Sequence, residues 1–345
     1  MVGTPSRDVT ISAIAAEAGV SAPTVSRVLN GRGDVAPATR ERVEKLLRRH
    51  GYRRRGQRSK ERVDLIDLVF NDLDSPWAVE IIRGVEDVAH QAGAGVVVSA
   101  IHRRASSARQ WLDNVRSRVS DGTILVTTDL APSLDEELRE LRVPAVVIDP
   151  VGVPDLATPT IGATNWSGGL SATEYLIDLG HRRIGFVEGR PELWCSRARM
   201  GGYRAALEMA GIAVEGDLIV PGEYTYESGF RAGRRLFESQ DPPSAVFVSS
   251  DQMALGVYEA LRRRGLRVPD DVSVVGFDDL PEARWSSPPL TTVRQPLADM
   301  GRMAMRTIER IIRDEHIESS RIELATGLVV RDSTAPPPHT RPAST

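Results

Sequence analysis

Ala22, Pro23, Ser26, Arg27 and Asn30 fall on one face of a helical pattern whose opposite face is Val25, Val28 and Leu29. Apart from Arg27 these outward side chains are short. A helix enters the major groove of DNA only if its outer face allows close approach. Arg or Asn on that face can pair with base edges, while Ser and Thr hold phosphates. That is recognition chemistry, and signals for catalysis are missing. No GxGxxG or GxxxxGK[ST] follows an apolar strand pattern, no GxSxG elbow occurs, and the six His show no HExxH spacing. Cys195 is the one cysteine, so it has no disulfide partner in the chain and cannot make a Cys-rich zinc site. The expectation is therefore no catalytic residue, no metal and no cofactor. Gly168-Gly169 in NWSGGL comes nearest to a phosphate cradle and reads better as close helix packing.

The elements that must position the recognition face are three short helices. Ile11, Ile14, Ala15 and Ala18 recur at helical spacing and stop at Gly19. Ser21 is the N-cap of the second helix and Pro23 fits its first turn. A third pattern runs from Thr39 to His50 with Val43, Leu46 and Leu47 inward, ended by Gly51. Charge separates this head from the rest. Residues 1–62 hold fourteen Lys/Arg against six Asp/Glu, leaving thirty against forty-one for residues 63–345. Either the basic head meets a polyanion that the acidic body would repel, or it is a solvated Arg-rich surface.

From Val63 onward short apolar runs alternate with helical segments: VDLIDLVF, 77–92, GVVVSA, 106–119, GTILVT, 133–142, AVVID. This βαβ order implies a parallel sheet covered on both faces. A second such series begins near Thr160, with helices over 167–179, 197–210, 227–239 and 252–264 between RIGFVEG, AVFVSS and VSVVGF. The fold class expected is an N-terminal all-α helix-turn-helix headpiece on an α/β body of two doubly wound parallel-sheet subdomains. The divisions are 1–52, a basic linker 53–62, a body 63–333 and a flexible Pro/Ser/Thr-rich tail 334–345. The boundary between subdomains falls near 160, with the chain crossing back near 290 and 325. Trp77, Trp194, Tyr224 and Trp285 lie in loops at strand ends of a chain with only 5% aromatics, so they either stack on a ligand such as a pyranose or belong to satellite cores. With no apolar run of membrane-spanning length and no apolar leader at the start, the expected location is the cytoplasm.

The run VTISAIAAEAGVSAPTVSRVLNGRGDVAPATRERVEKLLRRHGY resembles the headpiece of LacI-type transcriptional regulators. The resemblance implies that residues 21–30 are the recognition helix and that Ala22 and Pro23 occupy the positions that vary with operator sequence. It implies that Arg27 reads a base or phosphate, and that Thr10, Ser21, Thr24, Ser26, Asn30 and Thr39 touch phosphates. Ala22 and Pro23 have no hydrogen-bonding side-chain atoms, so they would read by apolar contact, for example with thymine methyls. The other reading of the head is a three-helix protein-binding module. The linker RRRGQRSK departs from the family, because Arg55, Arg58 and Glu61 stand where a hinge helix would carry its Asn, Ala and Leu wedge. Arg53, Arg54, Arg55 and Arg58 are then candidates for a narrow minor groove, or the linker is a tether of purely electrostatic affinity.

LGHRRIGFV, SDQMALG, VVGFDD and PLTTVRQP carry a matching resemblance of the body to the ligand domain shared with periplasmic sugar-binding proteins. It implies a small effector between the two halves, gripped by Arg199 and Asp278 and, less directly, by Asp149, with Trp77 and Tyr224 in the pocket. A guanidinium fork and a carboxylate together suit a polyol. Asp278 could instead cap a strand-end turn. The function implied is a sequence-specific DNA-binding regulator, a repressor, controlled by a small carbohydrate and performing no chemistry. Its partners are a pseudopalindromic double-stranded operator and a second copy of the chain, with tetramers left open. A solute-binding receptor would need an export signal and no head; an enzyme of sugar metabolism would need turnover.

Overall fold

The computed structural model describes residues 10–29, 35–49, 63–102, 104–118, 120–126, 132–151 and 158–338. The chain divides into two compact units, Met1–Arg62 and Val63–Thr345.

In the first unit α1 (Ile11–Ala18), α2 (Ala22–Leu29) and α3 (Pro37–Arg49) close on Ile14, Ala15, Ala18, Val25, Val28, Val43 and Leu47. Thr10 caps α1, its hydroxyl accepting from the Ala13 amide at 3.2 Å, and Gly19 at φ 65° ends the helix in the left-handed region that glycine adopts without strain. Ser21 caps α2 by accepting from the Thr24 amide at 3.3 Å. α3 starts at Pro37, whose fixed φ and missing N–H suit a first turn, so Thr39 lies inside the helix rather than at its start.

The second unit begins with β1 (Leu65–Phe70), α4 (Pro76–Ala92), β2 (Gly95–Ala100), α5 (Ala105–Arg118), β3 (Gly122–Val126), α6 (Pro132–Glu140), β4 (Ala145–Ile148) and β5 (Thr160–Ala163). It continues through α7 (Asn165–Asp178), β6 (Ile184–Val187), α8 (Trp194–Met209), β7 (Ile219–Val220), α9 (Tyr226–Phe237), β8 (Ala245–Val248) and α10 (Asp251–Arg263). It ends with β9 (Ser273–Asp278), α11 (Pro281–Trp285), β10 (Thr291–Arg294), α12 (Leu297–Ile312), β11 (Arg321–Leu324) and β12 (Gly327–Val329). Two six-stranded sheets result, ordered β11-β5-β4-β3-β1-β2 and β12-β10-β9-β8-β6-β7. Among the described residues these strands pair in parallel except β10 with β12. Every residue of β3, β6, β8 and β9 is buried, as strands covered by helices on both faces require.

Thr160–Ala163 pairs with β4 and β11, so this segment belongs to the first sheet and the second half starts at Asn165. The chain passes between halves at Ala163–Asn165, Arg294–Leu297 and Leu324–Gly327. The first and third passages are tied together. The Thr326 amide donates to the Thr164 hydroxyl at 2.9 Å and the Thr326 hydroxyl donates to the Thr164 carbonyl at 3.1 Å. The tail expected to be flexible from residue 334 is pinned at its start. Thr334 meets the Tyr175 hydroxyl at 2.9 Å, and the Ala335 carbonyl accepts from Ser273 Oγ at 2.9 Å while lying 2.9 Å from Nε2 of buried His181. Composition pointed to fraying, but these hydrogen bonds fix the backbone. Residues 339–345 lie outside the described residues.

Candidate functional site

On α2 the outward side is led by Pro23 and Arg27, both exposed, with Thr24 and Ser26 half-buried beside them. Ala22, also expected on this face, is half-buried like Thr24 and Ser26. It packs on the edge of the headpiece core. Ser21 and Thr24 bond to each other through their hydroxyls at 2.9 Å, and Thr10 is engaged at the start of α1. Asn30, Arg53, Arg54, Arg55 and Arg58 lie outside the described residues.

Within the body a cavity of about 200 Å³ opens between the halves, at the carboxyl ends of the strands. From the first half it is lined by Phe70 at the end of β1, by Asn71, Asp72, Asp74 and Trp77 after it, and by Asp149 after β4. From the second half come Arg190, Arg199, Glu223, Tyr224, Gln252 and Asp278, with Leu193 and Cys195. Trp77, Asp149, Arg199, Tyr224 and Asp278 are thus brought together; Trp194 and Trp285 are not. Cys195 and Arg199 sit four residues apart on one face of α8, so the Trp194 side chain projects elsewhere, its ring 5.8 Å from the Arg197 guanidinium and 5.9 Å from that of Arg321. Trp285 ends α11 at 77% exposure, on the side opposite buried Ala283.

Arg199 is the hub. Nε donates to Asn165 Oδ1 at 2.9 Å, Nη1 donates to the Ser249 carbonyl at 2.5 Å, and the guanidinium lies 3.7 Å above the Phe277 ring. Asp278 Oδ1 is 3.8 Å from Nη1 and accepts from Gln295 Nε2 at 2.6 Å. Asp251, in contact with this group, accepts from the Leu280 amide at 2.8 Å and the Thr292 hydroxyl at 2.5 Å. α8 can bring Arg199 here because Gly169 of α7 lies against its backbone, where any Cβ would collide; close packing is the role of this glycine.

Asp149 (φ 47°), Tyr224 (φ 63°) and Asp278 (φ 121°) all hold positive φ. Such backbones cost on the order of 1–3 kcal/mol each and gather where function over-determines the structure. Burial pushes Asp149 up to about 6 and Asp278 up to about 7, with Arg199 opposing both. It also drives the Asp251 carboxyl and the Tyr224 phenol well up. The Cys195 thiol is raised by the same burial, so it stays protonated and is a poor nucleophile. Among the described residues no three His, Cys, Asp or Glu are placed to hold a metal ion, and no helix is long and apolar enough to cross a membrane.

Sequence reasoning missed Asn71, Asp72 and Asp74, although a polar run directly after an apolar strand is the visible signal at NDLD. It also missed Gln252, Glu223 and Arg190. Asn165 and Gln295 had no sequence signal, because each acts by reaching a residue far along the chain.

Residues 10–55 match the profile of bacterial regulatory proteins of the lacI family, and residues 173–334 match a periplasmic binding protein-like domain. Catabolite control protein A of Priestia megaterium is 34% identical over 332 residues, 95% of this chain and 99% of that one. The structure of the transcriptional regulator CelR in complex with cellobiose superposes with a TM-score of 0.74 at 35% identity, covering 94% of this chain and 99% of that one. The lac repressor dimer bound to operator and the anti-inducer ONPF superposes at 0.70 and 28% identity, covering 95% and 100%.

Proposed function

The chain belongs to the lacI family of bacterial regulatory proteins and is a DNA-binding transcriptional regulator; from that premise we propose that it is a repressor whose operator affinity is set by a small neutral carbohydrate in the body cavity. The observation that carries the ligand class is the lining. Five carboxylates, Asp72, Asp74, Asp149, Glu223 and Asp278, face two guanidiniums, Arg190 and Arg199, with the rings of Phe70, Trp77 and Tyr224 alongside. Carboxylates accept hydroxyl protons, rings cover the C–H faces of a sugar, and the net negative lining disfavours a phosphate or carboxylate ligand. The CelR complex with cellobiose supports the same class.

On the DNA side, Pro23 and Arg27 carry the exposed face of α2, and two headpieces of a homodimer meet the half-sites of a pseudopalindrome. Thr10, Ser21, Thr24, Ser26, Asn30 and Thr39 serve register rather than sequence. Arg53, Arg54, Arg55 and Arg58 read a narrow minor groove at the operator centre. The protein works in the cytoplasm and turns over no substrate, in keeping with a protonated Cys195. Melting temperature against cellobiose, glucose, glucose 6-phosphate and glucuronate tests the reading. A neutral sugar at about a hundred times its dissociation constant stabilises by about 2.7 kcal/mol, while the anions do not. Stabilisation by the anions alone overturns it.

A further inference from the structure

The two residues at the centre of the second-half wall are each bonded to a different passage between the halves. Arg199 Nε donates to Asn165 Oδ1 at 2.9 Å, and the same Asn165 side chain donates through Nδ2 to the Ala163 carbonyl at 3.0 Å. Ala163 is the last residue of β5 in the first sheet, whereas Arg199 belongs to the second half. One buried amide therefore spans the first passage and holds the cavity's guanidinium with its other end. Asp278 is tied to the second passage, its Oδ1 accepting from Gln295 Nε2 at 2.6 Å and its carbonyl from the Gln295 amide at 3.2 Å. The third passage joins the first through Thr326 and Thr164. Neither Asn165 nor Gln295 lines the cavity.

We propose that Asn165 is a positioning residue that relays cavity occupancy to the angle between the two halves, with Gln295 serving Asp278 in the same way. This rests on the reading of the cavity as an effector site. A ligand that pulls on Arg199 changes the geometry at Asn165 Oδ1. Because the amide is planar and its Nδ2 is fixed to β5, the displacement passes to the first passage and through Thr164 to the third. The relay differs from simple support of Arg199 in one respect. Support needs only an acceptor at Oδ1, whereas relay also needs the donor at Nδ2.

Asn165→Asp separates the two, since it keeps an acceptor for Arg199 and loses the donor to Ala163; Asn165→Ala removes both. With the full chain, cellobiose as probe and operator DNA selected from a random pool by the wild type, two quantities are read: cellobiose affinity, and the ratio of operator dissociation constants with and without saturating cellobiose. Coupling ratios typically run from about five to 150. The relay gives Asn165→Asp a coupling ratio reduced by about tenfold or to unity, read at saturating cellobiose so that any change in sugar affinity does not enter. A wild-type ratio in Asn165→Asp overturns the relay. Amide exchange without sugar is the second measurement, with protection at 164–167 and 324–327 dropping about tenfold in Asn165→Asp and Asn165→Ala while the sheet cores keep theirs. If the wild type ignores cellobiose, the carbohydrate reading loses its probe and exchange alone decides. Unchanged protection in both variants overturns the relay.

Discussion

The two halves of the body are built on the same strand order, and in each the fourth strand ends on an aspartate with positive φ, Asp149 after β4 and Asp278 at the end of β9. Their surroundings differ. Asp278 is held by Gln295 and lies 3.8 Å from Arg199, which is itself fixed by Asn165 and Ser249. Asp149 is equally buried, at 6% exposed, and feels the charges of Arg199 and Glu323. One half thus presents a network of hydrogen bonds around its aspartate and the other a buried carboxyl that lines the cavity. Pre-organisation on one wall lowers the ordering cost of binding, while the carboxyl on the other offers a ligand hydroxyl a partner across the cavity.

The largest expected effect comes from cutting the network at its hub. Arg199→Ala leaves Asp278 and Asn165 without their buried partner and should destabilise the body by about 3–5 kcal/mol, as breaking buried charge pairs does. Asp149→Ala, which leaves those hydrogen bonds in place, should cost far less. Urea titration of the full-length variants measures both, and equal losses would erase the contrast between the walls.

Titration of the two aspartates comes next. Both bind their proton more tightly folded than unfolded, where an Asp carboxyl titrates near 3.9. Their contribution to stability is therefore fully present below about pH 4 and lost as pH rises through about 6 for Asp149 and about 7 for Asp278. For Asp149 the loss amounts to about 3 kcal/mol, and Asp149→Asn should flatten the stability curve between pH 5 and 8. Sugar binding should move the opposite way, weakening below pH 6 as the carboxylates protonate and cease to be acceptors alone. Urea midpoints and calorimetric titrations at pH 5 and 8 give both slopes.

What could be read from the sequence follows the range over which each feature is decided. The helices of the head depend on periodicity and caps within about ten residues, and Gly19 and Ser21 stand where the pattern puts them. Ala22 stands at the margin of the buried stripe, half-buried against the headpiece core, which periodicity alone does not resolve. In the body, runs such as AVFV and SVVGFD announce buried parallel strands. That β12 pairs antiparallel, and that Thr160–Ala163 joins the first sheet, depends on passages between halves that no local pattern encodes. The same holds for the site. Arg199 and Asp278 were accessible through motifs, but their partners Asn165 and Gln295 are 34 and 17 residues away and meet them only when the passages converge.

A smaller effect tests the open wall directly. Trp77 is half-buried, packs on the core of the first half and lines the cavity. Trp77→Ala should weaken a neutral sugar about tenfold, near the upper end of what one stacked ring contributes beyond its area, and destabilise the first half as well. Trp77→Phe keeps the packing and should recover most of the stability.

The smallest effect is expected at the two rings that sequence position alone placed in the pocket. Trp194 begins α8 one residue before Cys195, and a helix turns successive side chains by about 100°, so with Cys195 and Arg199 on the cavity face the indole points away. Trp285 is 77% exposed at the end of α11. Trp194→Ala and Trp285→Ala should each leave sugar affinity within about twofold of wild type, since neither ring covers the ligand, and Trp285→Ala should change monomer stability by no more than about 0.5 kcal/mol, as exposed sites do. Calorimetric titration of the two variants beside Trp77→Ala decides the matter. A loss at Trp194 equal to that at Trp77 would mean that α8 turns when the halves close, bringing the indole round to the cavity and giving the preset wall a moving part.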